Sequence, residues 1–167
     1  MAQVFSQELG FDFTETVSQV VKPNTIRLIL SIVVSAGWNI THLDVNNAFL
    51  HGDLEEEIYM RQPIGFEQGG PGLVCKLNKA IYGLKQASRS WFLTVRTVLL
   101  SLGFSPSRAD ISLFYRVSKT EVTYLLIYVD DMLITGSSSS AIKYVIQQLH
   151  TYFSLKDLGG SEDVPWH

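Results

Sequence analysis

The chain has 167 residues, 46% of them hydrophobic and 11% aromatic, which is enough for one domain with a substantial core. Its formal net charge of −3 lacks the basic excess that is typical of nucleic-acid-binding proteins. The single cysteine, Cys75, excludes an intrachain disulfide and favours a reducing compartment. No apolar stretch is long enough to span a membrane, and the N-terminus lacks a signal-peptide pattern. We therefore expect a soluble intracellular protein without a membrane partner, in either the cytoplasm or the nucleus.

The predicted elements mix helices and strands, without a repeat or a dividing linker. In chain order they are a helix from Pro23 to about Ala36 that ends at Gly37, a strand over 39–44, a short strand over 57–61, a glycine-rich loop, an extended run over 73–77, a helix over 86–102, strands over 112–117 and 121–129, a continuation over 132–135, and a helix after the serines at 137–140. In the first helix, apolar residues cover all but a narrow polar stripe, so we expect it to be mostly buried.

The charges are distributed unevenly along the chain. Between positions 68 and 109 there is no acidic residue, and the basic residues of that segment are Lys76, Lys79, Lys85, Arg89, Arg96 and Arg108. Acidic residues are densest at 53–57. The basic segment predicts a surface for a polyanion, and an ordinary solvated helix face remains the alternative.

Two adjacent aspartates, Asp130 and Asp131, interrupt the apolar stretch at 124–134. An unpaired carboxylate costs several kcal/mol to bury, and two neighbouring carboxylates repel each other, so a divalent cation between them would suit this setting. The alternative is a tight hairpin in which Asp130 and Asp131 are solvated turn residues.

A third carboxylate, Asp44, ends the predicted strand at 39–44, where a capping role is the alternative. If the two strand ends meet side by side in a sheet, three hard oxygen donors converge there, and such donors suit magnesium. In two-metal sites, ions about 3.5–4 Å apart hold the attacking and leaving oxygens of a phosphoryl displacement. The pattern therefore predicts phosphoryl transfer.

A longer pattern consists of four ordered segments, LDVNNAFLHG at 43–52, EEEIYMRQP at 55–63, KAIYGLKQA at 79–87 and YVDD at 128–131. In this order they resemble the reverse transcriptase of copia-type retrotransposons. Shorter matches extend the resemblance over about residues 3–159. It implies an RNA-directed DNA polymerase, a nucleotidyltransferase from a transposable element.

The resemblance also implies the fold class, α+β, with a palm-like antiparallel sheet, the Asp hairpin at its centre and helices packed on one face. It implies incomplete fingers and no thumb. Residues 1–159 are expected to form a partial fingers and palm domain, and residues 160–167 a short unrelated tail. The remainder of a polyprotein is expected as a missing partner.

In the resembling family, three aspartates of the palm bind two magnesium ions, for which manganese can substitute. The matching positions are Asp44, Asp130 and Asp131, and the main-chain carbonyl of Val45 is implied as a further ligand. Together they would support nucleotidyl transfer from a deoxynucleoside triphosphate to a primer 3′-hydroxyl.

Five further residues match substrate-binding positions of the family. Phe49 matches the bulky residue beneath the sugar, where a ring favours deoxynucleotides, with core packing as the alternative. Tyr82, Gly83 and Lys85 fall in the segment that resembles the template- and nucleotide-binding stretch. Tyr128 is expected near the primer end. The implied partners are an RNA or DNA template with its primer and a deoxynucleoside triphosphate.

Two alternatives to a polymerase remain at this stage. The first alternative is an inactive retrotransposon remnant that at most binds nucleic acid. The second is a metal-dependent nuclease that uses Asp44, Asp130 and Asp131. Polymerase and nuclease differ in the nucleophile, a primer hydroxyl or water, and Phe49 has no purpose in the nuclease.

Overall fold

The computed structural model describes residues 20–70 and 72–160. Its helices are α1 (Pro23–Ala36), α2 (Ala87–Ser101) and α3 (Ser139–His150), and a short 3₁₀ helix covers Ala48–His51. Its strands are β1 (Ile40–Val45), β2 (Asp53–Arg61), β3 (Val74–Lys79), β4 (Ser105–Pro106), β5 (Leu113–Val117), β6 (Val122–Tyr128), β7 (Asp131–Gly136) and β8 (Leu155–Gly160). The mixed α+β class is confirmed. The expectations for residues 1–19, and for the tail from residue 161 onward, lie outside the described residues.

The chain is organised in two compact units. One contains residues 47–94 of the described chain, with β2 and β3. The other contains residues 20–46 and 95–160, with the remaining strands. The boundary falls within α2, where the sequence gives no composition change or linker signal.

The larger sheet has six strands in the order β4-β5-β6-β7-β1-β8. Every neighbouring pair is antiparallel. The β6–β7 hairpin therefore occupies the middle of the sheet, as expected for the Asp hairpin. Strand β1, which comes much earlier in the chain, lies between β7 and β8 and brings Asp44 next to this hairpin.

Helix α1 packs on one face of this sheet. Its buried residues Ile29 and Val33 join a cluster with Leu113 and Leu126. Proline at the first helical position and Gly37 in the left-handed region (φ +65°) set its ends, as the sequence predicts. The expectation that α1 is mostly buried is wrong, because Val34 is 81% exposed and Leu28 and Leu30 are exposed too.

The opposite face of the sheet is buried as well. Its side chains are Leu43, Val45, Leu125, Ile127, Met132 and Ile134, all at most 2% exposed. Helix α3 contacts β7 and buries Ile142, Val145 and Leu149. The prediction that helices pack on one face is therefore wrong, because the central strands carry apolar side chains on both faces and both must be removed from water.

The smaller sheet is the β2–β3 hairpin. Strand β2 begins at Asp53, four residues before the predicted start at Glu57, and Asp53 is in register with Lys79. Salt bridges join Lys79 to Asp53 and Lys76 to Glu57. These pairs hold the acidic segment in an extended strand that its own low strand propensity does not predict.

Candidate active-site residues

The turn between β6 and β7 carries the first candidate residues. Tyr128 is in register with Asp131, so Val129 and Asp130 form a two-residue turn. The alternative of an Asp-Asp turn is therefore wrong, because Asp131 is the first residue of β7. Val129 has φ +56°, a conformation that is strained for a β-branched residue. Such strain persists only where the surrounding structure enforces it, here within the sheet that holds both strands.

The register of β1 brings Asp44 to the same end of the sheet. Asp44 lies directly opposite Asp131, and the backbone N–H of Val45 donates to the carbonyl of Asp130 at 3.3 Å. Directly opposed residues of antiparallel strands share a face, with Cβ atoms about 4.5–5.5 Å apart. Asp44, Asp130 and Asp131 are all half-buried. The fold thus juxtaposes the early aspartate and the later pair.

The same row of the sheet continues on both sides of the two opposed aspartates. Lys156 of β8 is the strand partner of Asp44, and the exposed Tyr128 of β6 is the partner of Asp131. Four strands therefore contribute one side chain each to this row. The row places a lysine and a tyrosine at its two ends and the carboxylates between them.

The side chains themselves do not form a three-carboxylate cluster. Among the residues that the structure describes, no three His, Cys, Asp or Glu side chains are grouped as ligands for one ion. Instead, Oδ1 of Asp131 lies 2.8 Å from Nε2 of His42. Convergence of the three carboxylates therefore stays a prediction.

The donor chemistry of this row nevertheless fits a divalent cation. Like charges directly opposite each other in a sheet destabilise it, and a cation between Asp44 and Asp131 would remove that repulsion. Magnesium binds through one or two carboxylates together with substrate phosphates, so this pair is sufficient in number. Asp130, in the turn directly before Asp131, is the third candidate ligand.

His42 is a residue of this region that the sequence analysis missed. It precedes Asp44 by two positions, so both side chains project from the same face of β1. The signal was present in the alternation of the strand. It was not interpretable without the register, because the partner of His42 is 89 residues away in the sequence.

The remaining substrate-binding candidates, apart from Tyr128, belong to the unit formed by residues 47–94. Phe49, on the 3₁₀ helix, is 8% exposed, and its ring centroid lies 5.7 Å from that of Tyr82, which is 70% exposed. Gly83 has φ +101°, a conformation that L-residues rarely adopt. Lys85 is half-buried nearby in the sequence. The structure therefore brings Phe49 and Tyr82 together, and the burial of Phe49 is also what core packing would produce.

Gly52 fixes the position of this 3₁₀ helix, and the sequence analysis did not identify it. Its N–H donates to the Phe49 carbonyl at 3.0 Å, and its own carbonyl accepts from the Ala80 N–H at 3.2 Å. A Cβ on Gly52 would lie 2.7 Å from Oγ of Ser90 and 3.0 Å from N of Trp91. Only glycine permits this close approach to the start of α2.

The basic segment is partly neutralised in the structure. Lys76 pairs with Glu57, and its hydrogen bond and charge lower the pKa of that carboxyl below the ordinary value. Lys79 pairs with Asp53. Arg96 and Arg108 are exposed. The surface that the segment offers to a polyanion is therefore smaller than its sequence implies.

Comparison with known proteins gives the family. A family model described as reverse transcriptase (RNA-dependent DNA polymerase) matches residues 1–164. The retrovirus-related Pol polyprotein from transposon RE2 of Arabidopsis thaliana is 46% identical over 158 residues, which are 94% of this chain and 11% of the relative. The retrovirus-related Pol polyprotein from transposon TNT 1-94 of Nicotiana tabacum is 45% identical over 162 residues, 96% of this chain and 12% of the relative.

A more distant relative supports the same assignment. The transposon Ty1-BR Gag-Pol polyprotein of Saccharomyces cerevisiae is 31% identical over 141 residues, 83% of this chain and 8% of the relative. The chain belongs to the reverse transcriptase (RNA-dependent DNA polymerase) family, and its resemblance to the copia-type enzymes is confirmed. It spans 11 to 12% of the length of the two plant polyproteins. Within the described residues, no helix has the length and apolar character needed to cross a membrane.

Proposed function

We propose that the chain contributes the catalytic carboxylates of an RNA-directed DNA polymerase, which adds deoxynucleotides to a primer 3′-hydroxyl. The observation that carries the proposal is the register that sets Asp44 opposite Asp131, in a chain that belongs to this family. In this proposal the chain belongs to the fingers and palm region of the polymerase. The remainder of a polyprotein is the expected partner, and the location is the cytoplasm or the nucleus.

The proposed metal ligands act together on the primer and the triphosphate. Asp44 and Asp131 would hold magnesium between their strands, Asp130 would reach it from the turn, and the Val45 carbonyl would complete the protein ligands. When bound, two magnesium ions supply activation of the primer hydroxyl and stabilisation of charge on the leaving pyrophosphate. The β1–β7 pairing fixes the backbone positions of Asp44 and Asp131, and this would pre-organise the charge that the reaction needs.

The proposed substrate contacts are made by the residues that match substrate-binding positions of the family. Phe49 would exclude a 2′-hydroxyl, and Tyr82 with Gly83 would lie against the template and nucleotide. Lys85 would contribute charge to a phosphate. Tyr128, exposed and in register with Asp131, would pack beside the primer end. The template is RNA or DNA with an annealed primer.

Primer extension on an RNA template with deoxynucleotides and magnesium tests this proposal. We expect extension by the wild type and its loss in Asp130→Asn. Asp53→Asn is the matched control, because it also removes one carboxylate but only from an exposed ion pair, which contributes about 1 kcal/mol or less. Equal product from the wild type and Asp130→Asn would contradict the catalytic assignment.

A second candidate function is a retrotransposon remnant that at most binds nucleic acid. It is favoured by one observation, that no three candidate ligands are grouped among the described residues. Binding of a primer–template duplex without extension, unchanged in Asp130→Asn, would support it. Shortening of the primer instead of extension would favour the nuclease, with water as the nucleophile.

A further inference from the structure

The contact between His42 and Asp131 runs diagonally across the row of opposed aspartates. In the register of β1 and β7, His42 pairs with Leu133 and Asp44 pairs with Asp131. Nε2 of His42 nevertheless reaches Oδ1 of Asp131 at 2.8 Å. A carboxylate is only an acceptor, so Nε2 must carry the hydrogen of this bond. The imidazole therefore donates to one oxygen of Asp131.

We propose that His42 is a positioning residue that orients the Asp131 carboxylate for cation binding. By holding Oδ1, it leaves Oδ2 as the free ligand atom of Asp131. The inference rests on the proposed function, because it assumes that Asp131 binds a divalent cation. It goes beyond that function by assigning a role to a residue that does not itself bind the cation.

The electrostatics of the row explain why such a residue is needed. Asp44 and Asp131 are directly opposite each other, so before a cation binds their like charges favour rotamers that turn the two carboxylates apart. A donated hydrogen bond opposes that rotation at Asp131. It also weakens the repulsion locally, because the N–H dipole is directed at one of the two charges.

The position of His42 on β1 also supports a positioning role. His42 and Asp44 are both on β1, so one strand carries the residue that orients Asp131 and the carboxylate that opposes it. The mutual placement of the two carboxylates is thereby set through one strand. Carboxylates that bind metal ions in proteins are commonly held by such hydrogen bonds, and loss of the partner lowers metal affinity about 10–100-fold.

A titration of the 167-residue chain with Mn²⁺, without nucleotide or nucleic acid, tests the proposal. Electron paramagnetic resonance measures the Mn²⁺ affinity. We expect His42→Leu, which has no donor, to weaken Mn²⁺ binding about 10–100-fold. His42→Gln should retain near-wild-type affinity, because its amide nitrogen occupies the place of Nε2. His150→Leu, on the exposed last residue of α3, is the control and should bind as the wild type does.

A comparison of two amides covers the case in which His42→Leu fails to fold. His42→Asn carries the same amide as His42→Gln on a side chain one methylene shorter, so it does not reach Oδ1. A merely structural role at a polar strand position would affect both amides alike. Near-wild-type Mn²⁺ affinity in His42→Gln but not in His42→Asn supports the positioning role. Equal Mn²⁺ affinities in the two variants would overturn it.

The same measurements separate the two proposals. If the wild type binds Mn²⁺, Asp131→Ala does not, and His42→Leu binds as tightly as the wild type, the role of His42 is wrong and the metal site stands. Tighter binding by His42→Leu would mean that the imidazole competes with the cation, which also overturns the inference. If the wild type and Asp131→Ala bind equally weakly, the metal site itself fails and the inference fails with it.

Nitrogen-15 spectra of the imidazole, recorded without metal, give a readout that is independent of affinity. We expect His42 to carry its hydrogen on Nε2 in the wild type and to lose the hydrogen-bonded proton signal in Asp131→Ala. A ring that carries no hydrogen on Nε2 would overturn the inference whatever the metal affinity is.

Discussion

The carboxylate end of the six-stranded sheet and the surroundings of Phe49 place their candidate residues by different means. At the carboxylate end, the contacts join distant parts of the sequence, such as His42 and Asp131, which are 89 residues apart. Around Phe49, the 3₁₀ helix is closed locally by the N–H of Gly52 donating to the Phe49 carbonyl. One region depends on strand register and the other on a turn.

This difference predicts how each region fails. A disturbance of the register displaces Asp44 relative to Asp131 and so disables both carboxylates together. A disturbance near Gly52 changes the placement of one ring, Phe49, and leaves the strands of the sheet paired. Substitutions at glycines that touch only one of the two regions therefore separate their contributions.

The largest expected loss of stability is that of Gly136→Ala, in β7. A Cβ there would lie 2.3 Å from the carbonyl oxygen of Val122 and 3.0 Å from Cα of Thr123. Both atoms are backbone, so β6 and β7 must move apart, and we expect the free energy of unfolding to fall by about 3 kcal/mol. Urea unfolding measures this. A change below about 0.5 kcal/mol would show that the β6–β7 pairing is looser than the structure gives.

The next effect concerns Asp110, which is 5% exposed and accepts a hydrogen bond from the residue that precedes α1. It accepts hydrogen bonds from the Lys22 N–H at 2.8 Å and the Ser112 N–H at 3.0 Å. Burial alone would raise the pKa of Asp110, but the hydrogen bonds from Thr25, Lys22 and Ser112 outweigh it and lower the pKa. Asp110→Asn should therefore lower the free energy of unfolding by about 2 kcal/mol at neutral pH.

The pH dependence of unfolding tests the same site. Because the pKa of Asp110 is lower in the folded state, the unfolded state takes up the proton first as the pH falls. The contribution of Asp110 is complete above the ordinary aspartate pKa of about 4 and decreases as the pH falls through the lower folded value. In Asp110→Asn the free energy of unfolding should therefore decrease less steeply as the pH falls. A pH dependence in Asp110→Asn as steep as that of the wild type would contradict this assignment.

Gly52→Ala probes the Phe49 region and should cost less than Gly136→Ala. The neighbours of the new Cβ are the Ser90 hydroxyl, which can rotate, the Ser90 Cβ at 3.0 Å and the backbone N of Trp91 at 3.0 Å. We expect a loss of about 1–2 kcal/mol. Mn²⁺ affinity should remain that of the wild type, since the sheet is not touched. A matching loss of Mn²⁺ affinity would mean that the two regions are not independent.

Local signals in the sequence predicted much of the fold. Pro23 and Gly37 mark the ends of α1, and the predicted serine cap of α3 is present, because the Ser138 hydroxyl accepts from the Ala141 N–H. These signals act between residues only a few positions apart. Their physical cause, such as an unsatisfied backbone N–H or a left-handed φ, is complete within the segment itself.

Tertiary features were predicted less well. The periodicity of α1 could not tell that Val34 is exposed, because burial depends on which sheet residues face the helix. The contact of His42 with Asp131 depends on the register of two strands that the sequence separates widely. The aspartates were found as candidates through their unfavourable apolar setting and the family pattern, but their rotamers depend on partners that no local pattern contains.

The smallest effect, and the one of opposite sign, is expected at Val129. Its φ of +56° is strained for valine, whereas asparagine tolerates the left-handed region. Val129→Asn should therefore raise the free energy of unfolding by about 1 kcal/mol. Val117→Asn, on an exposed residue of β5 with ordinary strand geometry, is the control and should lower it by about 0.5 kcal/mol.

Although Val129→Asn should stabilise the fold, we expect it to impair metal binding. The strained turn holds Asp130 beside Val45 and Asp131 opposite Asp44, and a relaxed turn would allow both carboxylates to move. We expect weaker Mn²⁺ binding in a more stable protein, because strain at a functional turn is retained for the geometry that it enforces. If Val129→Asn destabilises the chain as much as Val117→Asn does, the turn stores no strain. Placement of the carboxylates would then depend on the strand register and the His42 hydrogen bond alone.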